Sequence, residues 1–134
     1  MGMSFREFVA KSDYVITKPV SKKLEASGII YSAGDKSIMF EKIKESQNKV
    51  AANVFASKDK VAKYLGCEVK DLVPIMIKAL NAPSKPKVVT TTDHKDIEVD
   101  LEKLPILTHT DKDGGAYVSS GIIIVKDPAV GQNV

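Results

Sequence analysis

Tryptophan is missing from this chain, aromatic residues make up only 6% of it, and it has a single cysteine and two histidines. Each scarcity removes a class of explanation. One cysteine, Cys67, permits no internal disulfide, which fits a reducing, cytoplasmic setting. His94, His109 and Cys67 stand at no metal-ligand spacing, so a zinc site has no sequence support. With so few aromatics there is no platform on which bases could stack. The lysines are dispersed among acids at a net charge of +3, which argues against a nucleic-acid footprint. No stretch approaches the roughly 20 apolar residues of a membrane span, and the amino terminus has no apolar signal region. Neither a G-x-G-x-x-G nor a P-loop pattern occurs, and Gly114-Gly115 alone is weak support for phosphate binding.

What is present is the make-up of a globular protein. The 134 residues are 43% hydrophobic and 28% charged, enough for one domain or for one domain and part of another. Ser4-Phe5-Arg6-Glu7 has the form of a capping box and opens a short helix bearing Phe5, Phe8 and Val9. Tyr14 to Thr17 reads as a strand ending at Pro19. Ser21 is placed to cap a short helix through Leu24 to Ala26, with Gly28 as its stop. Ser37 to Ile43 and Lys49 to Phe55 read as strands joined in a hairpin. Ser57, Asp59 and Gly66 mark the start and end of a helix. Asp71 then caps a helix with Leu72, Ile75, Met76, Ala79 and Leu80 on one face and Pro74 in its first turn.

Pro83-Ser84-Lys85-Pro86 breaks the pattern and is the linker candidate. Beyond it, Lys87 to Thr92 and Ile97 to Val99 read as strands, and a glycine turn at Gly114-Gly115 leads to an apolar strand from Tyr117 to Val125. Ile122 to Val125 is apolar on both faces, as in a barrel or the interior of a sheet. Helices interspersed with hairpin strands give an α+β class. The expected division is an N-terminal α+β domain of short helices and antiparallel strands over 1–100, followed by 101–134. Asp111 and Asp113 form a carboxylate pair or, as is usual beside a glycine turn, serve the turn itself; Cys67 reads as a small buried thiol.

An ordered set of motifs resembles the UbiD-like decarboxylases, of the 3-octaprenyl-4-hydroxybenzoate carboxy-lyase type. It comprises Phe5-Arg6-Glu7-Phe8, Ile38-Met39-Phe40-Glu41-Lys42-Ile43 and Asn53-Val54-Phe55-Ala56-Ser57. It continues with Leu104-Pro105-Ile106-Leu107, Asp113 to Gly121, Lys126-Asp127-Pro128 and Gly131-Gln132-Asn133-Val134. The resemblance implies that 101–134 opens a split β-barrel of flavin-reductase-like type. It further implies an enzyme that adds or removes carbon dioxide on an aromatic or α,β-unsaturated acid with prenylated FMN, manganese and potassium. Position by position, Ser119, Ser120 and Gly121 match residues beside the flavin, and Asn133 matches an asparagine that ligates the metal. An amide oxygen suits such a hard cation. The family's Glu-Arg-Glu catalytic set has no counterpart here, so the resemblance implies no catalytic residue in this chain and no tight cofactor binding by it alone. The partner it implies is the remainder of the decarboxylase, or a second copy pairing through strand 117–125 to give a homo-oligomer. The alternatives are a small subunit of a split decarboxylase and a non-catalytic module docking through its open strand edge.

Overall fold

The computed structural model describes residues 3–85, 87–90, 100–119, 121–122 and 128–129. Its centre is strand β2, Ile38–Phe40, which lies between β1, Tyr14–Ile16, and β3, Val50–Ala52. The β2–β3 pair is the antiparallel hairpin expected from its short connection, with Phe40 opposite Val50 and Ile38 opposite Ala52. β1 instead runs parallel to β2, Tyr14 opposite Ile38 and Ile16 opposite Phe40. The sheet is therefore mixed rather than antiparallel throughout. A parallel pair needs a long crossover, and the segment between β1 and β2 supplies one containing a helix.

That helix, α2, spans Glu25–Ser32 and corrects the expected one: it starts later and runs through Gly28. Ser21 does not cap it; Ser21 and a left-handed Leu24 (φ 65°) form the turn leading in. Ala26, Ile29, Ile30 and Ala33 recur at helical spacing and pack on the core. Burial of that face outweighs the modest cost of a mid-helix glycine, about 1 kcal/mol. The reversal comes later, at Gly34, whose φ is +57°.

β2 and β3 are both shorter than the sequence patterns suggested. Ile43 makes only isolated bridges to Val20 and Ser46, and Asn53, at φ 53°, turns the chain out of β3. Val20, Ala26, Ile38, Phe40, Ile43 and Leu107 form the buried core.

The remaining helices follow their local signals closely. α1, Phe5–Val9, has the reciprocal capping box between Ser4 and Glu7. Phe5 and Phe8 meet Phe55 and Tyr64, with the Phe8 and Tyr64 rings 5.2 Å apart. α3, Lys58–Leu65, starts at Ser57, whose hydroxyl accepts from the Lys60 amide at 3.3 Å, and ends at left-handed Gly66. α4, Leu72–Asn81, exists as expected, but Asp71 lies in the preceding 3-10 turn, Val69–Asp71, and makes no side-chain cap. Its apolar face is largely uncovered by the described residues: Leu72 is buried, whereas Met76 is 59% and Leu80 is 80% exposed. Cys67 is a free, half-buried thiol rather than a core residue.

Residues 83–85 and 87–90 form no regular element, and a 3-10 turn spans Leu101–Lys103. The described part of the expected first strand after the linker, 87–90, is thus not a strand; 91–99 lie outside the described residues. Tyr117, Val118, Ser119, Gly121 and Ile122 likewise sit in no strand, and 123–127 lie outside the described residues. Among the described residues, no helix is long and apolar enough to cross a membrane.

Candidate functional site

The segment that leads to the cofactor-assigned positions is fastened to the N-terminal sheet and helices. Leu107 inserts into the core, and Thr108 continues the attachment through its backbone. The Thr108 amide donates to the Lys22 carbonyl at 3.1 Å, and the Leu24 amide donates to the Thr108 carbonyl at 3.2 Å. The buried Ser27 hydroxyl donates to the same Thr108 carbonyl at 2.9 Å, and the His109 ring nitrogen Nδ1 lies 3.5 Å from that hydroxyl. Such pairings, some 80 residues apart in sequence, leave no local signature, and none was visible in the sequence.

After this attachment the chain turns at Asp113. Its Oδ2 accepts from the His109 and Thr110 amides, each at 2.9 Å, and its Oδ1 from the Thr110 hydroxyl at 3.0 Å. These bonds, led by the Thr110 amide, hold its carboxyl below the ordinary range. Asp113 therefore serves the turn, as acids beside a Gly-Gly pair commonly do, and exposed Asp111 makes no pair with it. Among the described residues, no group of three or more His, Cys, Asp or Glu is placed to hold a metal ion; His94 lies outside them.

Of the four positions assigned to cofactor and metal, Ser119 and Gly121 are described and both are exposed. Ser120 and Asn133 lie outside the described residues. Among the described residues, a Cβ added at Gly121 would meet the Val118 side chain, at 3.2 Å. A cavity of about 60 Å³ lies elsewhere, lined among others by Phe8, Ser12, Asp13, Ser37, Lys60 and Lys63. Pockets for cofactor-sized ligands are about 300–1,000 Å³. The described residues alone do not enclose a flavin.

Asp13 is the strongest electrostatic feature beside that small cavity. Its Oδ2 accepts from Lys60 Nζ at 2.9 Å, from the Ser37 amide at 2.8 Å and from the Ser37 hydroxyl at 2.9 Å. The Lys60 ammonium first, and then the two Ser37 donors, hold its carboxyl well below the usual range. The cluster ties the start of β1, the start of β2 and α3 together, and it is structural rather than catalytic in form. A depressed carboxylate contributes stability above its unfolded pKa of 3.8 and loses it as the pH falls through its lower folded value. Asp13→Asn is therefore expected to melt at a lower temperature than the parent at neutral pH. The gap should narrow steadily as the pH is taken below about 4, the range of ordinary aspartate titration. Thermal melts across that range check this, and a gap independent of pH would refute an ionic origin.

Comparison with known proteins agrees with this arrangement. The family model for the 3-octaprenyl-4-hydroxybenzoate carboxy-lyase N-terminal domain matches residues 14–80, and that for the Rift-related domain of the same carboxy-lyase matches 79–134. The anhydromevalonate phosphate decarboxylase of Methanothermobacter thermautotrophicus is 28% identical over 129 residues, covering 96% of this chain and 30% of that protein. Its namesake in Methanosarcina mazei is 30% identical over 130 residues, covering 91% and 30%.

Among solved structures, an evolved dimeric form of the UbiD-class enzyme HmfF from Pelotomaculum thermopropionicum, in complex with prFMN, superposes with a TM-score of 0.78 at 24% identity. That match covers 97% of this chain and 33% of HmfF. The apo 3,4-dihydroxybenzoic acid decarboxylase AroY of Klebsiella pneumoniae gives 0.77 at 25% identity, covering 94% and 32%. The chain spans about a third of the length of these relatives. Two adjoining family domains matched in chain order, on a fold shared with UbiD-class enzymes, place this chain in the UbiD family of carboxy-lyases.

Proposed function

We propose that this chain is the N-terminal portion of a UbiD-type decarboxylase or carboxylase that acts on an aromatic or α,β-unsaturated carboxylic acid through prenylated FMN. The observation that carries the reading is the unbroken succession of N-terminal and Rift-related domain matches from residue 14 to residue 134. In this reading 1–100 is the N-terminal domain and 101–134 the beginning of the flavin-binding barrel. The bound flavin would supply an electron sink for carbon dioxide loss or gain. This chain's part is placement: Ser119, Ser120 and Gly121 pass beside the flavin, and the Asn133 amide oxygen ligates a manganese ion, with potassium near it. No proton-transfer residue of the reaction is assigned to this chain. The relatives named for anhydromevalonate phosphate and for 3,4-dihydroxybenzoate support the two substrate classes. The complete enzyme is proposed to be a cytoplasmic homo-oligomer.

Titration with prenylated FMN and manganese, followed by flavin absorbance after gel filtration, tests the reading. The chain alone is expected to retain no stoichiometric flavin, and the chain joined to the remainder of the enzyme to retain it and release carbon dioxide. A tight complex formed by the chain alone would overturn the first half. A joined polypeptide inactive on both substrate classes would overturn the second.

The uncovered face of α4 favours a second reading, in which the chain is a small subunit or a non-catalytic module that docks on a partner. The same experiment separates the non-catalytic module, which stays inactive when joined, whereas a small subunit would gain activity on mixing with its separate partner without covalent joining.

A further inference from the structure

Three consecutive carbonyls at the end of the Leu101–Lys103 turn all accept from side chains of the N-terminal unit. Lys22 Nζ donates to the Glu102 carbonyl at 2.6 Å and to the Leu104 carbonyl at 3.1 Å. Ser46 Oγ donates to the Lys103 carbonyl between them at 2.6 Å. Carbonyls at the end of a helical turn lack partners within it and carry partial negative charge, so a cation is the donor best suited to them. Lys22 also receives the Thr108 amide on its own carbonyl at 3.1 Å, so one residue grips the segment at both ends. Its backbone is in turn held by Glu45, whose Oε2 accepts from the Lys22 amide at 2.9 Å.

We infer that Lys22 is a positioning residue. It sets the register of segment 102–108 on the N-terminal unit, and so the place from which the chain sets out towards Ser119 and Gly121. Its recognition is of backbone carbonyls rather than of the side chains at 102–104, whereas Leu107 is held by its side chain in the core. With the ammonium removed, Leu107 and the Thr108 bonds still tether the segment, while the turn upstream of them is released. The importance of this register for a flavin site rests on the decarboxylase reading, but the latch itself does not.

Amide hydrogen exchange on the full chain tests it. In Lys22→Met, which keeps an apolar stem and drops the ammonium, the Lys103 and Leu104 amides that close the turn should exchange about tenfold faster, a factor set by the loss of charge-assisted hydrogen bonds. The Tyr14 and Glu41 amides, which bond between β1 and the β2 strand region, should keep the parent rate. Lys22→Arg should restore slow exchange at the turn. Unchanged rates at Lys103 and Leu104 would overturn the inference. So would equal acceleration at Tyr14 and Glu41, which would make Lys22 a general stabiliser. An arginine variant as fast as the methionine one would show that a cation is not the agent. No flavin or substrate enters the measurement, so its failure is distinct from failure of the proposed function.

Discussion

Phe40→Ala is expected to shift urea unfolding to a much lower midpoint, at a cost of about 3–5 kcal/mol. Phe40 is fully buried in the middle strand, in one core cluster with Val20, Ile38, Ile43 and, from much later in the chain, Leu107. Deleting a buried phenyl ring costs about 3–5 kcal/mol in lost transfer energy and cavity, against a total stability of about 5–15 kcal/mol for a domain. Phe55, 46% exposed within the aromatic cluster of α1 and α3, offers the contrast. Its alanine variant should keep a cooperative transition, because less of the ring leaves water on folding. Urea unfolding followed by circular dichroism distinguishes the two. A cooperative Phe40→Ala transition at the parent midpoint would mean that the core does not depend on this ring.

Asn53→Ala should cost about 1–3 kcal/mol, the sum of a left-handed backbone penalty and the lost hydrogen bonds of a half-buried amide. Asn53 sits at φ 53° and directs its side-chain amide at three carbonyls that end α2 and begin the turn into β2. The bonds are 2.8 Å to Gly34, 3.3 Å to Lys36 and 3.4 Å to Ile30. An amide has two donor hydrogens for these three carbonyls, so at least one hydrogen is shared. Asn53→Gly separates the contributions: glycine tolerates the positive φ and removes only the amide. It should recover about 1 kcal/mol relative to alanine and still fall short of the parent. Denaturant midpoints at unchanged slope measure this. A glycine variant as stable as the parent would show that the carbonyls do not need the amide.

Asn53 also shows how much of the family resemblance was physical. The Asn53-Val54-Phe55-Ala56-Ser57 stretch is one of the motifs of the resemblance, and its Ser57, with Gly66, delimits α3. The asparagine has a different task. It leaves β3 in a left-handed turn and closes the end of α2, two elements away in sequence. Capping residues were legible because their partners lie within four positions. The role of Asn53 was not, because its partners lie 17 to 23 residues away.

The same division runs through the whole chain. The capping box of α1, the ends of α3, the existence of α4 and the β2–β3 hairpin were all determined by the sequence alone. So was membership of the UbiD family, through the order of motifs along the chain. Local hydrogen bonding and short loops suffice for these features. Tertiary structure decided the parallel pairing of β1, the passage of α2 through Gly28, the burial of Leu107 and the seating of segment 102–108 on Lys22 and Ser46. Each of these joins residues far apart in sequence, and the free energy that selects them comes from burying one core, which no local pattern encodes.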